Sequence, residues 1–206
     1  LMWVGTLNQK GVFKSIDGGE TFIRKDNGIL EDTGLTIRNF EIDHHDSDTV
    51  LMTGELDVGL SGDEFARVKG VIYLTNDGGD NWRKLWEGDS LTRWSCLEFM
   101  TVATGIFDRE AFNVTGLGVL KSTDDGETWL ESNNGIDGSL FIGGMAMDHD
   151  DNFMVLGTGN NNDANKGIQG GIFKSIDAGE SWQKLYPLKD SDSIDIFTAA
   201  TVAPSN

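Results

Sequence analysis

Residues 15–22 read Ser-Ile-Asp-Gly-Gly-Glu-Thr-Phe, and the chain says this phrase three more times: TNDGGDNW at 75–82, STDDGETW at 122–129 and SIDAGESW at 175–182. Each copy keeps an Asp at the third place, a Gly at the fifth and an aromatic at the eighth. With the opening hydroxyls, the positions are Ser15, Asp17, Gly19 and Phe22; Thr75, Asp77, Gly79 and Trp82; Ser122, Asp124, Gly126 and Trp129; and Ser175, Asp177, Gly179 and Trp182. The copies start 60, 47 and 53 residues apart, which is the spacing of repeated supersecondary units.

The phrase reads as a turn with an anchor. Asp and Ser side chains accept hydrogen bonds from backbone N–H groups a few residues on, and the glycines allow positive φ where the chain reverses. Before each copy stands an apolar or alternating run, GVFKS, GVIYLT, GVLKS or GIFKS, and after it a short strand-like run, FIRK, WRKLW, WLES or WQKLY. Each unit is therefore predicted to hold a β-hairpin. Burying about 200 Å² of the eighth-place aromatic stabilises by at most about 5 kcal/mol, enough to fix a unit against its neighbour.

The pattern S-x-D-x-G-x-T-W resembles the Asp-box, or BNR repeat, of β-propellers such as sialidases, sortilin-type receptors, xyloglucan-degrading glycosidases and a photosystem II assembly factor. Copy two departs from it, with Thr75 in place of Ser and Asn81 in place of Thr. The resemblance implies an all-β propeller of four-stranded antiparallel blades, with the box in the turn between the third and fourth strands. It speaks for a fold rather than a function.

Composition narrows the class. A formal net charge of −18 argues against nucleic acid or an anionic membrane surface as partner. No apolar run approaches the roughly 20 residues needed to span a bilayer, and no signal peptide is visible. Cys96, the only cysteine, rules out an internal disulfide and reads as a small buried apolar residue.

Taken in order, the chain divides into units of about 1–30, 36–88, 92–133 and 139–187, with 193–203 as an extra inner strand. The first unit shows three strands, the next three show four each, and SIDIFTAATVA supplies one more. Two readings stay open: the last strand completes the first blade of a four-bladed ring, or the chain is a fragment of a larger propeller. The second is preferred, because the resembled folds are larger; in it, the outer blades expose apolar faces.

Candidate functional residues lie on the connections between second and third strands, which are longer than a hairpin needs. Glu55 to Lys69 brings Asp57, Asp63, Glu64 and Arg67; Gly105 to Leu117 brings Asp108, Arg109, Glu110 and Phe112; Thr158 to Gly170 brings Asn160, Asn161, Asn162 and Asp163. On one shared rim, these would suit sugar hydroxyls or a peptide. Glycoside hydrolysis requires two carboxylates flanking the scissile bond, and Asp63 and Asp108 are the candidates. The arginine cluster and tyrosine nucleophile of sialidases have no counterpart around Tyr73 or Tyr186.

The run DHHDSD at 43–48 invites a metal reading, but Asp148 to Asp151 hold the same place in a later unit, so both read as tight turns. NNNDANKG lacks the acidic spacing of a Ca²⁺ loop. Asn113-Val114-Thr115 fits an N-glycosylation pattern. The reading expected here is a non-catalytic module, and the resemblance implies an extracellular, periplasmic or cell-surface protein. Its expected ligand is carbohydrate or protein, with further blades or domains of the same polypeptide as possible neighbours and no metal or cofactor. The alternative is part of a glycoside hydrolase resembling the xyloglucan-degrading enzymes, and an assembly factor comes third.

Overall fold

The computed structural model describes residues 1–6, 11–29, 34–43, 45–57, 68–88, 92–98, 101–108, 113–148, 152–186, 195–197, 200 and 202. Among them are four antiparallel sheets and one short helix. The first sheet is β1 (Met2–Gly5), β2 (Val12–Ser15) and β3 (Ile23–Arg24), in the order β1-β2-β3. The second is β4 (Leu35–Ile42), β5 (Val50–Asp57), β6 (Val68–Thr75) and β7 (Arg83–Glu87), in chain order. β8 (Thr92–Glu98), β9 (Thr101–Asp108), β10 (Asn113–Lys121) and β11 (Leu130–Glu131) form a third. The fourth is β12 (Ile142–Asp148), β13 (Phe153–Thr158), β14 (Ile172–Ser175) and β15 (Gln183–Tyr186).

Each sheet is an up-and-down meander, as expected of strands joined by hairpins, and the fold is a β-propeller with these sheets as blades. The chain divides into two compact units, Leu1–Phe99 and Met100–Asn206. The extra inner strand expected at 193–203 is not seen as one at 195–197, the described residues in its first half. Phe197 instead donates its N–H to the Thr158 carbonyl at 3.2 Å and sets its ring edge-on to Tyr186.

In the first unit, alternation along the strands separates two faces. Val50, Met52, Val71, Tyr73 and Trp82 of the second sheet are buried with Val12 and Ile29, and Trp3, Ile37 and Phe40 pack against them. Trp3 lies edge-on to Trp82, ring centres 5.6 Å apart, and beside Phe40 at 6.0 Å. The register places Met2 opposite Ser15 and Val50 opposite Thr75, so Met2 and Val4 of the first sheet correspond to Val50 and Met52 of the second. Met2, Val4 and Phe22 are 46%, 44% and 44% exposed, whereas Val50, Met52 and Trp82 are 0%, 0% and 5% exposed. In the second unit the matching residues of the fourth sheet, Met154, Leu156, Phe173 and Trp182, are again buried.

The four corners share one backbone form. Fifth-place glycines 19, 79, 126 and 179 have φ of 95°, 89°, 80° and 80°, a region that a side chain disfavours. The fourth place is left-handed as well: Gly18 and Gly78 fill it in the first two copies, Asp125 (φ 57°) and Ala178 (φ 53°) in the others. Its N–H also ties the corner to the turn between the first two strands of the sheet. Gly78 donates to the Asp48 carbonyl at 2.9 Å, and Ala178 to that of Asn152 at 3.0 Å.

Candidate functional site

The repeated aspartates are fully occupied in holding their own corners. The first-place hydroxyl accepts the fifth-place N–H and donates to the aspartate, at 2.9 and 2.8 Å for Ser15 and at 2.8 and 2.6 Å for Ser175. The aspartate's second oxygen then takes the seventh-place side chain: Thr21 at 2.5 Å, Thr128 at 2.6 Å and Ser181 at 2.6 Å. In copy two the Asn81 amide replaces the hydroxyl, donating to Asp77 at 2.8 Å. Copy two therefore keeps the complete bonding pattern with a different donor.

These bonds favour the charged carboxylate. Asp77 is drawn down to about 2, chiefly by the Asn81 side chain, and Asp177 to about 2, chiefly by Ser175 and then Ser181. Asp17 is held far below the usual range and Asp124 is lowered, in both cases first by the hydroxyl of the threonine four residues on. A carboxylate ionised this firmly is a poor proton donor near neutrality.

Two of the eighth-place aromatics dock on the preceding sheet in the same way. Trp82 donates its indole N–H to the Lys25 carbonyl at 2.9 Å, and its backbone N–H to the Asn27 carbonyl at 2.9 Å. Trp182 repeats this on Ser132 at 2.8 Å and Asn134 at 2.8 Å. The receiving segments read Asp26-Asn27-Gly28-Ile29 and Asn133-Asn134-Gly135-Ile136. A Cβ at Gly28 or Gly135 would strike the carbonyl oxygen of the docked tryptophan. This [D/N]-N-G-I signal was legible as a second repeat that sequence reasoning missed. Trp129 does not share the arrangement: its indole N–H turns back to Gly126 of its own corner at 3.1 Å.

The long connections are only partly described. Asp63, Glu64, Arg67, Arg109, Glu110 and Phe112 lie outside the described residues. Asp57 closes β5 opposite Val68, and Asp108 closes β9 opposite Asn113, so each stands where its strand enters the connection. The third connection is a built structure. Asn160 caps the helix α1 (Asn161–Asn165) by accepting the Asp163 N–H at 3.0 Å, the standard use of an amide oxygen at a helix start. Asp163, expected on an open rim, is 3% exposed; it accepts the Ser139 hydroxyl and, at 2.9 Å, the Asn160 amide. The reason is distant in sequence: Ser139, also buried, lies 24 residues upstream. Asn161 and Asn165 face solvent, and Asn160 is half-buried.

The described residues of the 43–48 run, Asp43 and 45–48, bond as a turn. Asp43 accepts the His45 N–H at 2.7 Å, and Asp46 accepts the Asp48 N–H at 3.1 Å and the Thr49 hydroxyl at 2.8 Å. Among the described residues, no group of three or more metal-binding side chains converges, and no helix is long and apolar enough to cross a membrane.

Compared with known proteins, the chain matches no family model and no curated sequence. Solved structures do resemble it. An ancestral GH74 enzyme superposes with a TM-score of 0.57 at 16% identity over 93% of this chain. The GH74 enzyme of Niastella koreensis gives 0.51 at 15% identity over 88%. This chain spans 24% and 27% of those two proteins, about a quarter of each. YCF48 from Cyanidioschyzon merolae follows at 0.44 and 17% identity, over 88% of this chain and 51% of that one, a score too low to weigh. The likeness to the GH74 enzymes is one of fold.

Proposed function

We propose that this chain supplies blades of an Asp-box (BNR-repeat) β-propeller that recognises carbohydrate or protein along its long second-to-third-strand connections, without cleaving the ligand. The observation carrying this reading is the construction of the 159–171 connection. Its one carboxylate, Asp163, is spent internally on Ser139 and Asn160, and that anchor holds the Asn161 and Asn165 amides towards solvent. An amide both donates and accepts, which suits sugar hydroxyls and peptide groups, and a loop held in place in advance loses less entropy on binding. In this reading Asp57, Glu64 and Arg67 on the first connection, and Arg109, Glu110 and Phe112 on the second, are further residues proposed to contact ligand. The setting proposed for such a module is extracellular, periplasmic or the cell surface.

A second reading, part of a glycoside hydrolase, draws on the fold shared with the GH74 enzymes. There Asp63 and Asp108 serve as the acid and the base or nucleophile. Calorimetric titration with β-glucan oligosaccharides and with a peptide library tests the first reading. Saturable binding, weakened by Asn161→Ala with Asn165→Ala, supports it. Binding that is indifferent to both substitutions removes the 159–171 connection from the surface.

A further inference from the structure

Asn27-Gly28 and Asn134-Gly135 are the two Asn-Gly pairs of the chain, and both are followed by Ile. They occupy equivalent places. Each asparagine is exposed, each accepts a docked tryptophan's backbone N–H, and each glycine is left-handed, at φ 91° and 92°. They differ in the asparagine side chain. The Asn27 amide is tied down, donating to Asn81 Oδ1 at 2.6 Å and to the Asp80 carbonyl at 3.3 Å. Among the described residues the Asn134 side chain has no hydrogen-bond partner.

We propose that Asn134 is a site of spontaneous covalent modification, converted through a succinimide to aspartyl and isoaspartyl residues while Asn27 is held back. The Gly135 backbone nitrogen attacks Asn134 Cγ; the new N–Cγ bond forms as the Cγ–Nδ2 bond breaks, and the amide leaves as ammonia with the proton lost from the nitrogen. Water then opens the ring at either carbonyl. Glycine favours the attack because no side chain hinders its nitrogen. Opening at the main-chain carbonyl leaves an isoaspartyl residue, with one more methylene in the backbone. That opening also turns the Asn134 carbonyl, which accepts the Trp182 N–H, into a free carboxylate off the backbone path, so modification loosens the third sheet from the fourth.

The two pairs control for each other, since local sequence, exposure and docking are matched. Peptide mapping by mass spectrometry after incubation in mildly alkaline buffer, folded and in denaturant, reads both sites. In the folded protein Asn134 is expected to convert about tenfold faster than Asn27, the factor supplied by ordinary hydrogen bonds that must break first. In denaturant the two rates should converge. Asn81→Thr installs the seventh-place residue of copies one and three and takes away the shorter of the two hydrogen bonds of the Asn27 amide, leaving the one to the Asp80 carbonyl; it should speed conversion at Asn27 towards the rate at Asn134. Equal rates in the folded protein, faster conversion at Asn27, or an Asn27 rate unmoved by Asn81→Thr overturns the proposal.

Discussion

The indole nitrogen of Trp182 stands 2.8 Å from the carbonyl oxygen of Ser132, fifty residues upstream on the preceding sheet. Ser132 answers with its own hydroxyl, which donates to the Gly179 carbonyl at 2.5 Å. Corner and preceding sheet are thus joined in both directions, around a tryptophan that is 5% exposed.

Removing that indole N–H alone tests the dock. Trp182→Phe keeps most of the apolar surface but leaves the Ser132 carbonyl unmet, at a cost of about 1–2 kcal/mol. Trp182→Ala also empties the site and costs about 3–5 kcal/mol. Trp129→Phe, whose indole bonds only within its own corner, should cost less than Trp182→Phe. Urea unfolding of the three variants, followed by circular dichroism, gives the order.

The corner aspartates set the acid limit. Their pKa values are depressed in the fold, with Asp77 and Asp177 at about 2 against an ordinary 3.8. A depressed acid stabilises the fold above its unfolded pKa, and that stabilisation fades as pH falls through the folded value. Stability should therefore decline from about pH 4 down to about pH 2. Asp77→Asn and Asp177→Asn should each lower stability at neutral pH and flatten that decline; melting temperatures across the range measure both.

Glu41 acts in the opposite sense. Burial pushes its pKa up from 4.5 to about 7, so between those values the folded chain holds a proton that the unfolded chain has lost. Stability then falls as pH rises through that window. Glu41→Gln should remove the slope and melt higher than the parent above pH 7. A parent and variant with parallel melting curves from pH 4 to pH 8 contradict this assignment.

The parts of the fold that the sequence made legible are those closed by short-range bonds. Asp17 reaches only Ser15 and Thr21, two and four residues away, so the corner could be read from eight letters and its copies counted. The docking of Trp82 on Lys25 spans 57 residues, and no local pattern distinguishes it from Trp129, which turns inward. Phe22, in the same phrase, stays 44% exposed, because burial depends on what another sheet covers. The site shows the same divide. Asn160, Asn161 and Asp163 were found from loop length and polarity, but the burial of Asp163 depends on Ser139, a residue with no visible motif.

Whether this surface recognises or cleaves is decided most directly by following reducing ends during incubation with β-glucan oligosaccharides that the protein binds. Recognition without chemistry predicts a saturable complex and no release of reducing ends, with Asp63→Asn and Asp108→Asn leaving that baseline unchanged. Release that grows with time and disappears in either variant contradicts it and makes those two carboxylates the catalytic pair.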